Sequence, residues 1–257
     1  MTDPLTPKDC VSAFIKRLTA LDREKSSYDK FRDFCEMAFC AYAKLTAPTP
    51  ERAQELEDRY MQIVGTYRDK DTVRAYPELL ALAGSAIPQG CDFLGNVATE
   101  MEVLNAQIGQ FFTPYDVARM MAMISLEGAA DLIAANGFLT LQEPASGAGG
   151  MVLAAAQALQ DSGFDPGLHM LVNAIDLSPL CFHMTFLQLT LRGIPALVEH
   201  GNTLSGERFA RAWTPATTAF HLHHGRLFPE ATASTTQERI TDEEPEPVMF
   251  GEQLVLL

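Results

Sequence analysis

With 257 residues, 47% of them hydrophobic, the chain is long enough to bury a full core, either as one large domain or as a core domain with a helical companion. A formal charge of −14 argues against an unaided grip on a nucleic-acid backbone, because that affinity comes mostly from neutralising phosphates. No stretch approaches the roughly 18 consecutive apolar residues of a membrane span, and Met1 to Asp9 has neither the basic segment nor the cleavage site of a leader, so a cytoplasmic setting is expected.

In chain order, Thr6-Pro7-Lys8-Asp9 combines an N-cap, a proline at the first helical position and an acid in the first turn, and predicts a helix to about Leu21. A second helix is expected from Ser27 to Leu45, with Tyr28, Phe31, Phe34, Cys35, Ala38, Ala41 and Tyr42 near helical spacing on a core face. Thr49-Pro50-Glu51 starts a third, to about Tyr67, and Asp71–Leu82 and Asp92–Asn105 read as two more. The cysteines Cys10, Cys35, Cys40, Cys91 and Cys181 have no zinc-knuckle or redox spacing and read as buried, reduced thiols.

The pattern changes at Thr113. Thr113-Pro114-Tyr115-Asp116 repeats the cap, proline and acid signature, and Val117, Met120, Met121 and Ile124 fall on one helical face. A short helix over Glu127–Ala135 stops at Asn136-Gly137. Strands are expected at Phe138–Gln142, Met170–Ile175 and Ala196–Glu199, with helices at Met151–Gln160 and Pro179–Arg192 between them. Alternating strands and helices imply a Rossmann-like α/β domain with a largely parallel sheet covered on both faces.

The chemistry concentrates in Glu143-Pro144-Ala145-Ser146-Gly147-Ala148-Gly149-Gly150-Met151, where a strand runs into a glycine-rich turn and then a helix. Such a turn lets backbone N–H groups approach a nucleotide-like ligand. It lacks the Gly-Lys-Ser/Thr of a triphosphate loop, and its spacing is not a clean dinucleotide fingerprint. Asp176, at the end of the second strand, reads as a carboxylate accepting from ribose hydroxyls, or as a capping residue for the helix at Pro179. If Phe209–Leu227 were a strand, His221 and His223 would share a face, but no third ligand follows at a recognisable spacing, and no metal is expected. From Phe228 the chain is acidic, threonine-rich and broken by prolines, which reads as a loose tail.

These motifs resemble a known family. Gln110-Phe111-Phe112-Thr113-Pro114 followed by Glu143–Met151 is similar to the paired motifs of adenine-N6 DNA methyltransferases of the type I restriction–modification modification-subunit kind, whose second motif reads Asp-Pro-Ala-Cys-Gly-Ser-Gly-Gly. Gly201-Asn202-Thr203-Leu204 looks like their Gly-Asp-Thr-Leu segment. The resemblance implies S-adenosylmethionine as cofactor. Its methionine part would lie against Phe112, Thr113, Pro114 and the turn formed by Glu143, Pro144, Ala145, Gly147, Gly149 and Gly150; Asp176 would hold the ribose and Asn202 the adenine amino group. The family's catalytic Asn/Asp-Pro-Pro-Tyr/Phe motif, which accepts from the flipped adenine and stacks on it, has no counterpart, since no Pro-Pro dipeptide occurs. The nearest candidate is Trp213-Thr214-Pro215, with Thr214 accepting and Trp213 stacking.

The expected organisation is a helical module at 1–108, a methyltransferase-like domain at 109–227 and an acidic tail at 228–257. The expected activity is S-adenosylmethionine-dependent methylation of adenine in DNA, with a partner subunit supplying DNA contacts. The alternative is a catalytically inactive relative that acts by binding cofactor or protein. Gln253-Leu254-Val255-Leu256-Leu257 is similar to peptides that dock into the bacterial sliding clamp, a further expected contact.

Overall fold

The structure is a computed structural model and describes residues 5–103, 112–225 and 254–255. Helix α1 (Pro7–Ala20) begins with a reciprocal capping box: the Asp9 N–H donates to the Thr6 hydroxyl and the Thr6 N–H donates to the Asp9 carboxylate, each at 3.2 Å. Helices α2 (Ser27–Ala43) and α3 (Pro50–Gly65) follow, capped by Ser26 and Thr49 as their sequences suggest. The single helix expected over Asp71–Leu82 is two, α4 (Lys70–Arg74) and α5 (Tyr76–Ala86). Pro77 has no N–H to continue the ladder of α4, so the chain re-initiates there. Helix α6 (Phe93–Glu100) is capped by Asp92.

The helical module and the sheet region share one hydrophobic cluster. Phe39 of α2 places its ring 4.9 Å from both Phe182 and Phe186. The described parts of the two regions are therefore joined by continuous packing.

Beyond it come α7 (Tyr115–Ser125), α8 (Ala129–Asn136), β1 (Leu139–Glu143), α9 (Gly150–Asp161), α10 (Pro166–His169), β2 (Met170–Asp176), α11 (Pro179–Arg192), β3 (Ala196–Gly201), β4 (Arg208–Trp213), α12 (Ala216–His223) and β5 (Leu254–Val255). Thr113 does not cap α7; Pro114 holds the cap position without any side-chain bond. The apolar face marked by Val117, Met120, Met121 and Ile124 is turned largely outward. Ala118 and Ala122 are buried, while Met120 and Ile124 are 59% and 67% exposed. The partner explains this reversal: α7 lies along the alanine-rich α9, and small residues on both helices permit a close approach that long side chains would prevent.

The sheet order is β4-β3-β2-β1-β5, with β4 antiparallel to β3 and the remaining pairs parallel. Leu139, Leu141, Met170, Val172, Ala174, Ala196 and Val198 are buried, and α11 packs against β2 and β3. Among the described residues, the other face departs from the two-sided coverage expected of it. Thr140, Gln142, Leu171, Asn173 and Leu197 are only partly buried and, with Arg208 and Trp213, line a cleft of about 290 Å³. Polar residues at alternate positions of β1 and β2 make this face compatible with contact with water.

The strand condition for Phe209–Leu227 is met only as far as Trp213, and the chain turns helical at Ala216. His221 and His223 therefore do not project side by side from a strand; His221 lies 6.0 Å from Trp213, ring to ring. Of the tail, only Leu254–Val255 is described, as a parallel strand beside Leu141 and Gln142. Gly109–Phe111 and the remainder of the tail lie outside the described residues. None of the described helices is long and apolar enough to cross a membrane.

Candidate functional site

The carboxyl ends of β1 and β2 deliver two acids to the glycine turn. Glu143 ends β1, is 4% exposed and accepts the Ala145 N–H through Oε1 at 3.0 Å; its Oε2 is buried and has no hydrogen-bond partner among the described residues. Burial pushes its carboxyl above the ordinary glutamate value, the Ala145 N–H opposes this, and the negative charge of Asp176 adds to it. Asp176 ends β2 and accepts the Gly147 N–H through Oδ2 and the Ser178 N–H through Oδ1, both at 2.8 Å. Burial raises its carboxyl too, offset in part by those two N–H donors. The N-cap of α11 is Ser178, so Asp176 does not cap that helix; it braces the residue that does and ties it to the glycine turn.

The turn is held from several sides. The Ser146 N–H donates to the Ile175 carbonyl at 2.9 Å, tying it to β2. The Thr185 hydroxyl, on α11, lies 3.0 Å from the Gly147 carbonyl and 3.1 Å from the Ser146 hydroxyl. Gly147 (φ +56°) and Gly149 (φ +94°) adopt left-handed backbone that side chains resist. A Cβ on Gly147 would stand 3.0 Å from the Phe112 ring, so Phe112 does reach the turn. Thr113, Pro114 and Ala145 are exposed and Pro144 is half-buried.

Asn202 arrives from β3 but spends its side chain locally. Its Oδ1 accepts the N–H groups of Leu204 and Ser205 at 2.9 and 3.3 Å, an Asx turn that shapes its own loop. The neighbouring Thr203, which sequence reasoning did not single out, donates from its hydroxyl to the Pro144 carbonyl at 2.6 Å and links the third strand to the turn. Thr185 was also missed. Its polarity between the apolar neighbours Met184 and Phe186 is the signal that could have found it.

The structure does not bring Trp213, Thr214 and Pro215 to this place. Because β4 is antiparallel, Trp213 pairs with Leu197 near the start of β3, whereas the turn sits where the parallel strands end. From Leu197 to Gly201 a strand rises roughly 13 Å. Thr214 is fully buried, and its hydroxyl donates to the Ile194 carbonyl at 2.7 Å and accepts the Ala196 N–H at 2.9 Å. That side chain staples a strand start. The correction follows from strand direction, which the sequence around Thr214 does not encode.

Chemically, one buried and one partly buried carboxylate flank the glycine turn. Negative charge here repels a pyrophosphate and suits a ligand that carries positive charge together with hydroxyl or amino donors. The orphaned Glu143 Oε2 is a buried acceptor of the kind that a ligand donor would satisfy.

A family model described as N-6 DNA Methylase matches residues 93–239 of this chain. The chain belongs to the N-6 DNA methylase family. S-adenosylmethionine is the cofactor of these methyltransferases, and its sulfonium and ammonium charges match the acidic turn. A solved structure from Listeria monocytogenes, described as a class I S-adenosylmethionine-dependent methyltransferase, shares 14% identity, with 78% of this chain and 55% of that chain covered and a TM-score of 0.43. The chain thus spans about half the length of that structure, and a likeness this distant carries no argument. No curated protein matches.

Proposed function

We propose that this chain is an S-adenosylmethionine-dependent adenine-N6 DNA methyltransferase of the restriction–modification kind that works with a partner supplying the DNA contacts. The observation that carries the cofactor half is the turn itself, with Gly147 bonded to Asp176 and flanked by the unsatisfied Glu143 Oε2. In this reading Glu143 meets the cofactor's ammonium group. Asp176 takes the ribose hydroxyls, Phe112 packs on the cofactor beside Gly147, and Thr113, Pro114, Pro144, Ala145, Gly149, Gly150 and Asn202 complete the rim. Dependence on a partner rests on charge. Net −14, with no lysine after Lys70, leaves little to neutralise phosphates.

A second reading, a catalytically silent relative that binds cofactor and acts through protein contacts, is favoured by one observation: the Thr214 hydroxyl is engaged with Ile194 and Ala196 at the far end of β3. Calorimetry with S-adenosylmethionine followed by a labelled-methyl assay on duplex DNA separates the two. Cofactor binding with methyl transfer supports the first reading; binding without transfer, with every candidate partner present, supports the second. Tight binding of duplex DNA by the purified chain at physiological salt would overturn the partner requirement.

The sliding-clamp contact proposed for Gln253–Leu257 carries a condition. Leu254 and Val255 pair with β1, so docking elsewhere requires that short strand to leave the sheet. A cytoplasmic setting fits the reduced thiols.

A further inference from the structure

Two buried polar residues that serve neither the cofactor rim nor the hydrophobic cluster meet behind the glycine turn. Asp92, 5% exposed, caps α6 by accepting the Gly95 N–H through Oδ1 at 3.0 Å. Gln188, fully buried on α11, donates from Nε2 to the same Asp92 oxygen and to the Ala148 carbonyl, each at 2.7 Å, and its Oε1 accepts the Leu94 N–H at 3.0 Å. One amide thus spends both of its N–H bonds and its oxygen on two separate segments: the start of α6 in the helical module, through Asp92 and Leu94, and the turn, through Ala148. Asp92 also reaches the turn directly, since a Cβ on Gly150 would stand 2.7 Å from its Oδ2. Gly150 opens α9, and its preceding residue, Gly149, offers no capping side chain. The carboxylate therefore approaches the end of a helix where the macrodipole favours negative charge.

We propose that Asp92 and Gln188 are positioning residues that hold the Ala148–Gly150 backbone in its ligand-ready shape, so that the helical module is a working part of the cofactor site. This rests on the S-adenosylmethionine reading of the turn for its affinity effects, but not for its effect on the turn itself. The third glycine of the motif then has a role distinct from those of Gly147 and Gly149. Gly147 leaves room for the Phe112 ring, whereas Gly150 leaves room for the Asp92 carboxylate. Burial of an acid at this point costs free energy that a purely structural cap on the surface would not, and the paired Gln188 donor offsets it.

The full chain should be compared with Gln188→Met, Asp92→Asn, Asp92→Ala, Gly150→Ala and the double variant Asp92→Ala/Gly150→Ala, each checked for folding by circular dichroism. Amide hydrogen exchange without ligand is the first readout. Gln188→Met should accelerate exchange at residues 147–153 while α3, remote from the contact, keeps its protection. Calorimetry is the second: Gln188→Met should weaken S-adenosylmethionine binding by about tenfold, the scale of losing hydrogen bonds to a charged group. Asp92→Asn, which keeps the shape and an acceptor oxygen, should bind closer to the parent than Asp92→Ala does. Gly150→Ala should weaken binding in the parent but add little in the Asp92→Ala background, because the clash is then gone. Unchanged exchange at 147–153 in folded Gln188→Met, or additive losses in the double variant, would overturn the proposal. If Gln188→Met does not fold, the Gly150 and Asp92 cycle decides by itself. If the parent itself gives no cofactor heat, the cofactor reading fails, and the exchange data still decide whether Gln188 holds the turn.

Discussion

The two ends of the sheet carry segments that look equally chemical in the sequence and behave differently in three dimensions. At the carboxyl end, Glu143 and Asp176 converge on Gly147, and one acceptor, the Glu143 Oε2, has no partner among the described residues. At the amino end of β3, Thr214 is bonded on both sides and holds the strand start against Ile194. The first region keeps polar capacity in reserve, as a ligand site must; the second has used the capacity of its hydroxyl. Partner inventory, more than residue type, separates a site from a staple.

Substitutions at the turn should show the largest functional effect. Gly147→Val combines a left-handed φ with a methyl group forced toward Phe112, and strain and overpacking of about 3 kcal/mol together should lower cofactor affinity on the order of 100-fold. Titration with S-adenosylmethionine checks this, and near-parental affinity would mean that the ligand does not approach Gly147.

Glu143→Gln sharpens the contrast, because it should move stability and binding in opposite directions. It removes a buried charge that lacks a full set of donors, so the ligand-free melting temperature should rise, while affinity for a cationic cofactor should fall by about tenfold. A variant that binds as well as the parent would separate Glu143 from the ligand.

Thr214→Val should do the reverse. It leaves the Ile194 carbonyl without its donor and weakens the acceptor set of the Ala196 N–H, costing roughly 1–3 kcal/mol of stability, with cofactor affinity unchanged at a temperature where the variant is folded. Loss of binding in a folded Thr214→Val protein would break the comparison outright.

The smallest expected effect is a pair of opposed pH trends. Glu143, Asp92 and Asp176 all have carboxyls raised by burial, so the folded protein holds their protons more tightly than the unfolded chain does. Their contribution to ligand-free stability is greatest below the ordinary carboxylate values and is lost as pH rises through the raised folded values. Affinity for a cationic cofactor should run the other way and weaken as pH falls through those raised values, since Glu143 and Asp176 must ionise to attract it. Melting curves and calorimetry across the same pH series test both signs.

Much of this architecture was legible in the sequence because local chemistry fixes it. The capping box at Thr6, the proline starts at Pro50 and Pro179 and the alternating apolar strands all act within a few residues. The acids at the ends of β1 and β2 were legible for the same reason. What could not be read depended on partners far along the chain. The inward face of α7 was set by the alanines of α9, the direction of β4 was set by its pairing with β3, and Gln188 gained meaning only beside Asp92 and Ala148. Asn202 shows an intermediate case: it follows β3 directly, but its oxygen serves the local loop.

The most direct test of the central claim is calorimetric titration of S-adenosylmethionine into the intact protein alongside Asp176→Asn and Thr214→Val. The account predicts saturable binding to the parent, an affinity about tenfold weaker for Asp176→Asn, and parental affinity for Thr214→Val. Absence of binding to the parent, or dependence on Thr214 in place of Asp176, would contradict it.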